Sequence, residues 1–260
     1  MSTGAEDQGP ATDEPRPVLE QRVALRVGGA RGFRWGPLDP GLAEALPGWL
    51  AGEVPGGEEI KPGRVWRVGD LLVKRYAPPA GLRRLRGSPA LRAAKLHDEI
   101  RPVRSPRPVA ALGDENGSGL LVTEYVAGRF LHRLWDDDPA GRAAFPAFMA
   151  GMHMAHVFHG DLNVRNMLWS GAEWVLIDLD GVVRWPRTLA RRRLIMQQWA
   201  RILGTLRGRP GSRELFDSYV ALVPPAWKAA ALWDAASLGG ARLVNGWDEQ
   251  RARRRGEQSR

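Results

Sequence analysis

The chain has no cysteine. That excludes disulfide frameworks, thiolate zinc sites, iron–sulfur clusters and cysteine nucleophiles. Long apolar runs are missing as well. No stretch approaches the ~18 apolar residues of a membrane span, and no charged-then-apolar leader opens the sequence. Acid is absent from one long region: residues 181–213 hold nine arginines and neither Asp nor Glu. Lysine is scarce, with only Lys61, Lys74, Lys95 and Lys228 among 38 cationic side chains. A lysine inside an apolar strand therefore calls for a reason.

What is present fits a folded soluble chain. Its 260 residues are 43% hydrophobic and 26% charged, ordinary proportions for a globular protein. At ~150 residues per domain this is one two-lobed unit or two small domains. The net charge of +9 implies an anionic partner: nucleic acid, an anionic membrane surface or a phosphorylated substrate. Residues 1–17, rich in Gly, Pro and acids, read as a disordered acidic tail. The lack of cysteine accords with a reducing cytoplasm.

Apolar periodicity divides the rest in two. Strands are expected near residues 22–27 and 64–68, with Leu71–Tyr76 as the antiparallel partner of the latter across a Gly69–Asp70 turn. A short helix is expected at Leu42–Leu46. Ser88–Pro89 opens a helix running to about Ile100, since Ser caps well and Pro suits the first turn. Val109–Leu112 and Leu120–Tyr125 form another strand pair. Beyond residue 126 the pattern turns helical: residues 139–156, 187–206, 213–222 and 226–237 carry apolar residues at helical spacing. Met167–Trp169 and Trp174–Ile177 read as a hairpin.

The chemistry concentrates in His159-Gly160-Asp161-Leu162-Asn163-Val164-Arg165-Asn166, followed by Val175-Leu176-Ile177-Asp178-Leu179-Asp180. The first segment matches the protein-kinase catalytic-loop pattern H-x-D-L-x-x-x-N, with Gly160 where Arg is usual. Asp and Asn are common in turns, but here a helix, His-x-Asp, an Asn five later and an apolar strand ending in Asp178 coincide. Phosphoryl transfer needs such a trio. Asp161 would accept the proton of the attacking hydroxyl, and Asn166 and Asp178 would hold Mg²⁺ on ATP. Lys74, in the strand Leu71–Tyr76, is placed to hold phosphates. Backbone groups of Glu124 and Val126 sit where a hinge would bind adenine. Gly57–Gly63 does not match a GxGxxG loop, and whether it covers phosphates stays open. His153, His156 and His159, three apart, drift round a helix too far to make a metal site. His159 is expected to brace the catalytic loop.

At HGDLNVRN, VLIDLDG and the arginine-rich TLARRRL, the sequence resembles the bacterial lipopolysaccharide core-sugar kinases, among them the Kdo and heptose kinases. The likeness covers roughly residues 60–206. It implies an α+β, bilobal protein-kinase-like fold, with an antiparallel-sheet N-lobe over 18–125, a mainly helical catalytic C-lobe over 126–246 and a charged tail over 247–260. It also implies ATP-dependent phosphorylation of an inner-core sugar hydroxyl on lipid A, at the inner face of the cell membrane. Asp180 matches the second acid of the family's I-D-F-D pattern. The family pattern departs at helix 89–100, which should supply a glutamate to pair with Lys74. No acid lies at Leu91–Ala94, and Asp98 or Glu99 would have to substitute. Arg184 and Arg187, with Arg191, Arg192 and Arg193, would face an anionic glycolipid or sugar acceptor, or anionic lipid.

Two other functions compete. A soluble phosphotransferase of the aminoglycoside or choline type shares the motif but wants an acidic acceptor pocket. A non-catalytic pseudokinase would account for the missing helix glutamate. Nucleic-acid binding ranks last, because the basic stretch offers only Trp185 and Trp199 for stacking. Oligomeric state is not legible.

Overall fold

The computed structural model describes residues 22–79, 87–101, 103–186 and 188–224, with the side chains of 188–192 excepted. The acidic tail, the expected helix at 226–237, the charged tail, and the side chains of Arg187, Arg191 and Arg192 lie outside the described residues.

Residues 22–124 supply a seven-stranded antiparallel sheet. Its strands are β1 (Arg22–Val27), β2 (Ala30–Trp35), β3 (Glu58–Lys61), β4 (Val65–Val68), β5 (Leu71–Tyr76), β6 (Pro108–Gly113) and β7 (Gly119–Glu124), in the order β1-β2-β6-β7-β5-β4-β3. Period-2 alternation sends side chains to opposite faces. On β5, Val73 joins one core with Trp66, Ala110, Leu112, Leu120 and Val122. Tyr76 joins the other with Trp35, Ala111 and Leu121. Helix α1 (Pro40–Ala51) covers the first face through Leu46 and Trp49, and α2 (Pro89–Glu99) covers the second through Ala90, Ala93 and Ala94. Burial on both sides explains why β7 reads as an unbroken apolar run. The two edges are β1 and β3; every residue of β3 is exposed, and its pairing to β4 is bulged.

Helix α1 is longer than the expected Leu42–Leu46. Asp39 accepts from the amides of Gly41 and Leu42, Pro40 starts the helix, and Gly52 closes it in the left-handed conformation at φ 99°. Pro47 sits inside this helix; burial of Leu46 and Trp49 offsets the backbone bond that a mid-helix proline removes. The Gly57–Gly63 segment is not an open loop: most of it is strand β3.

The remaining elements are β8 (Arg129–Phe130), α3 (Leu131–Leu134), α4 (Pro139–Met154), β9 (Val157–His159), β10 (Met167–Trp169), β11 (Trp174–Leu176), a 3₁₀ turn (Leu179–Gly181), β12 (Val182–Arg184), α5 (Thr188–Thr205) and α6 (Ser212–Leu222). Asp138 caps α4 by accepting from the Gly141 amide at 2.9 Å. One core joins these helices to β9–β11, with Trp135, Phe145, Phe158 and Trp199 almost fully buried. Strands β9 and β12, too short to show a period, pair antiparallel, with His159 opposite Val182. That pairing brings the segment after β9 beside the segment before β12.

Candidate active site

His159 ends β9 and organises both motif segments. The Asp161 amide donates to its Nδ1 at 3.1 Å, and its Nε2 lies 2.7 Å from the Asp178 carbonyl. Because Nδ1 accepts, Nε2 carries the proton and donates to that carbonyl, which fixes the neutral tautomer. Burial drives the His159 pKa below the ordinary value, despite the nearby carboxylates. Two backbone bonds lock the same region: Gly160 amide to Gly181 carbonyl at 2.8 Å, and Ile177 amide to Asn166 carbonyl at 2.8 Å. A Cβ on Gly181 would lie 2.9 Å from the His159 ring, so the close approach requires glycine there.

A buried polar relay stands behind His159. Gln198 of α5 donates to the His159 carbonyl at 3.0 Å, and its Oε1 lies 2.7 Å from Nε2 of His153 on α4. His153 Nδ1 meets the Tyr219 hydroxyl of α6 at 2.7 Å. Every member is paired, as a buried network must be. His153 is therefore a structural core residue held neutral, with burial pushing its pKa down to about 4. His156 stacks on the Trp185 ring at 4.1 Å. The three histidines point to separate tasks, and no metal-ligating cluster of His, Asp and Glu occurs among the described residues.

Asp161 presents a side chain 78% exposed, and Arg201 of α5 approaches its carboxylate at 3.4 Å while donating to the Gly160 carbonyl at 2.9 Å. Asn166 is buried. Its amide nitrogen donates to the Asp161 carbonyl at 3.2 Å, which leaves Oδ1 available. Asp178 follows β11 in the left-handed conformation, φ 58°, a costly backbone state for a non-glycine residue. It turns the carboxylate toward β5, where Oδ1 accepts from Lys74 Nζ at 2.6 Å. A carboxylate and an amide oxygen are hard oxygen donors of the kind Mg²⁺ takes, so Asp178 and Asn166 fit the metal the motif implies.

Lys74 also reaches Asp180 Oδ2 at 2.9 Å, and Tyr76 donates to Asp180 Oδ1 at 2.9 Å. Burial opposes the Lys74 charge, but the Asp180 and Asp178 carboxylates outweigh it and raise its pKa above the ordinary value. Burial likewise opposes the ionised form of Asp178. Lys74 and, more weakly, Lys61 of β3 nevertheless hold its carboxyl below the ordinary range.

Several expected residues lie elsewhere or have other partners. Glu99 does not reach Lys74: it pairs with Lys95 at 3.7 Å. Asp98 pairs with Arg22 at 3.0 Å. Asp98 does face the sheet, but toward β1 and β2, where Trp35 also donates to it at 3.3 Å; the residues of α2 buried against the sheet are Ala90, Ala93, Ala94 and His97. The Glu124 amide is taken by the Arg107 carbonyl at 2.9 Å, and its side chain pairs with Arg104 at 2.8 Å. Its carbonyl receives the Thr123 hydroxyl at 3.2 Å, and Val126 is partly exposed. Arg184 does not extend freely toward an acceptor; it donates to the Glu99 carbonyl. Arg201 and Tyr76 were not singled out from sequence. Tyr76 had a signal, being two residues from Lys74 and so on the same strand face. Arg201 had a weaker one, as a cation adjoining the Trp199–Ile202 apolar stripe.

No protein-family model matches the chain, and no curated protein matches it. Solved structures with some likeness are kinases. A co-crystal structure of WbdD with a kinase inhibitor is 20% identical over 64% of this chain and 43% of that one, with a TM-score of 0.39. Glucosamine kinase is 17% identical over 84% of this chain and 86% of that one, with a TM-score of 0.45. Its complex with glucosamine, ADP and inorganic phosphate gives 15% identity over 84% and 85%, at 0.43. The chain spans less than half the length of WbdD. No helix among the described residues is long and apolar enough to cross a membrane.

Proposed function

We propose that the chain is an ATP-dependent phosphotransferase with a two-lobed kinase architecture, acting on a sugar hydroxyl. The observation that carries this reading is one side-chain assembly. His159 ties the Asp161 amide to the Asp178 carbonyl, while Asp178 and Asp180 receive the sheet lysine, Lys74. Five residues from three distant segments of sequence meet at one place, an arrangement that suits phosphoryl transfer.

The geometry supports the following roles. Lys74, on rigid β5, supplies a fixed cation for phosphate oxygens. Asp178 and Asn166 would hold Mg²⁺, which offsets the charge of the triphosphate when bound. Asp161 accepts the proton of the acceptor hydroxyl as the new O–P bond forms and the bond to the ADP oxygen breaks. Its backbone is held from both sides, so that carboxylate starts in position. The Glu124 carbonyl and Val126 backbone would receive adenine.

For the acceptor, we infer an anionic glycolipid of the lipopolysaccharide inner core, a Kdo or heptose on lipid A. Arg201 beside the base and the acid-free stretch 181–213 favour an anionic substrate over a polycationic aminoglycoside. The exposed side chains of Val183 and Trp185, on either side of Arg184, suit contact with an anionic bilayer surface at the cytoplasmic face.

A screen of purified protein with Mg-ATP against Kdo–lipid A, heptosylated lipid A and aminoglycosides tests both levels. Transfer to a lipid A derivative is expected. Transfer to aminoglycosides alone would overturn the acceptor. Absence of both transfer and calorimetric Mg-ATP binding would overturn the kinase reading in favour of a pseudokinase.

A further inference from the structure

The chain lacks the helix-borne acid expected to pair with Lys74, yet Lys74 is not short of counter-ions. Both come from the turn after β11. Asp178 uses one oxygen, Oδ1 at 2.6 Å. Asp180 is held more completely: Oδ2 receives Lys74 at 2.9 Å and Oδ1 receives the Tyr76 hydroxyl at 2.9 Å. Lys74 and Tyr76 are two residues apart on β5 and share the face toward α2. The Tyr76 ring also lies 4.9 Å from Nζ, within cation–π reach. Lys74, Asp180 and Tyr76 therefore close a ring of contacts in which the buried tyrosine fixes the carboxylate and the carboxylate fixes the ammonium.

Resting on the kinase reading, we propose that Asp180, oriented by Tyr76, is the positioning residue for Lys74 in place of a glutamate on α2. When Asp178 turns to a metal ion, Lys74 keeps Asp180 and stays aimed at phosphate. The face of α2 near Tyr76 is correspondingly small, with Ala93 and Ala94 where a longer side chain has no task. The location of the acid also changes what Lys74 depends on. Asp180 lies in the turn whose Gly181 carbonyl receives the Gly160 amide, so the lysine is tied directly to the catalytic loop.

The test uses the full chain and follows Mg-ATP affinity by calorimetry together with KM for ATP, kcat and the Mg²⁺ dependence. Asp180→Asn keeps the shape and removes the charge. It is expected to weaken Mg-ATP binding and raise KM for ATP by about tenfold, the scale of one charge-assisted contact, without moving the Mg²⁺ half-saturation. In a Lys74→Met background the same change should have no further effect. Tyr76→Phe should shift affinity the same way by less, and it carries the test if Asp180→Asn does not fold. Adding Ala93→Glu to Asp180→Asn and recovering affinity would support the substitution of one acid by another. Undiminished affinity in Asp180→Asn, an additive effect with Lys74→Met, or a raised Mg²⁺ requirement would overturn the proposal; the last would make Asp180 a metal ligand. If the wild-type chain binds no Mg-ATP, the kinase reading falls and this proposal with it. Wild-type binding with an unaffected variant removes this proposal alone.

Discussion

Asp161 combines an exposed carboxylate with a tethered backbone, which separates its chemistry from its structural role. Asp161→Asn is expected to lower phosphotransfer by about a thousandfold, within the usual range for loss of a general base, with an unchanged melting temperature. Its partner Arg201 grips both the carboxylate and the Gly160 carbonyl. Arg201→Met should reduce kcat about tenfold through misplacement of the base, with KM for ATP unaltered in steady-state kinetics. The motif residues Asp161, Asn166, Asp178 and Lys74 stood out in the sequence because phosphoryl-transfer chemistry calls for particular types at particular spacings. Of the residues that hold them, His159 and Asp180 lie in the motif segments themselves. Gln198 meets the motif only through tertiary contact, and Tyr76 and Arg201 left only the weak signals of strand phase and of a cation beside an apolar stripe. Glu99 illustrates the converse error, an acid of suitable type on a helix whose phase directs it to Lys95.

Among elements, β2 and β6 pack more closely than any side chain would permit. A Cβ at Gly32 would fall 1.8 Å from the Ala111 carbonyl oxygen on β6, so Gly32→Ala must displace one strand. A loss of roughly 2 kcal/mol or more is expected, read as a lower denaturant midpoint. Helices α4, α5 and α6 are joined by the His153–Gln198–Tyr219 relay. His153→Ala would leave two buried polar groups unpaired and cost about 2–5 kcal/mol, measurable by the same unfolding titration. The long elements were readable because each carries a strong apolar signal, an unbroken run in β7 and a helical-period face in α4. Strands β8, β9 and β12 were not: unlike the equally short β10 and β11, which face each other across a local turn, they form only because a strand distant in sequence supplies their hydrogen bonds. Helix α1 runs on past the expected Leu46 although a proline at position 47 argues locally for a stop, because the burial of Trp49 beyond it is decided by the sheet.

For the whole molecule, acid stability is set in part by two histidines that are buried and neutral. His97 of α2 bonds Ser105 at 3.0 Å, and burial pushes its pKa down to about 4, as it does for His153. The unfolded chain takes up these protons near pH ~6.5. Below that pH the unfolded state binds more protons, so stability is full above pH ~6.5 and falls progressively toward pH 4. Each histidine contributes up to roughly 3 kcal/mol of this loss. Melting temperature should therefore drop between pH 7 and pH 4, and His97→Asn should make the decline shallower. A melting profile flat across that interval would contradict both assignments. The sheet has another consequence at this scale. Its exposed edge β3 carries Glu58, Glu59 and Lys61 on a bulged strand, and its opposite edge β1 carries Arg22 and Arg26. An approaching strand would have to desolvate these charges and fit an irregular ladder. The two rims act as guards against edge-to-edge self-association, so that a chain with neutral residues at 58 and 59 should begin to aggregate at concentrations where the natural one stays dispersed.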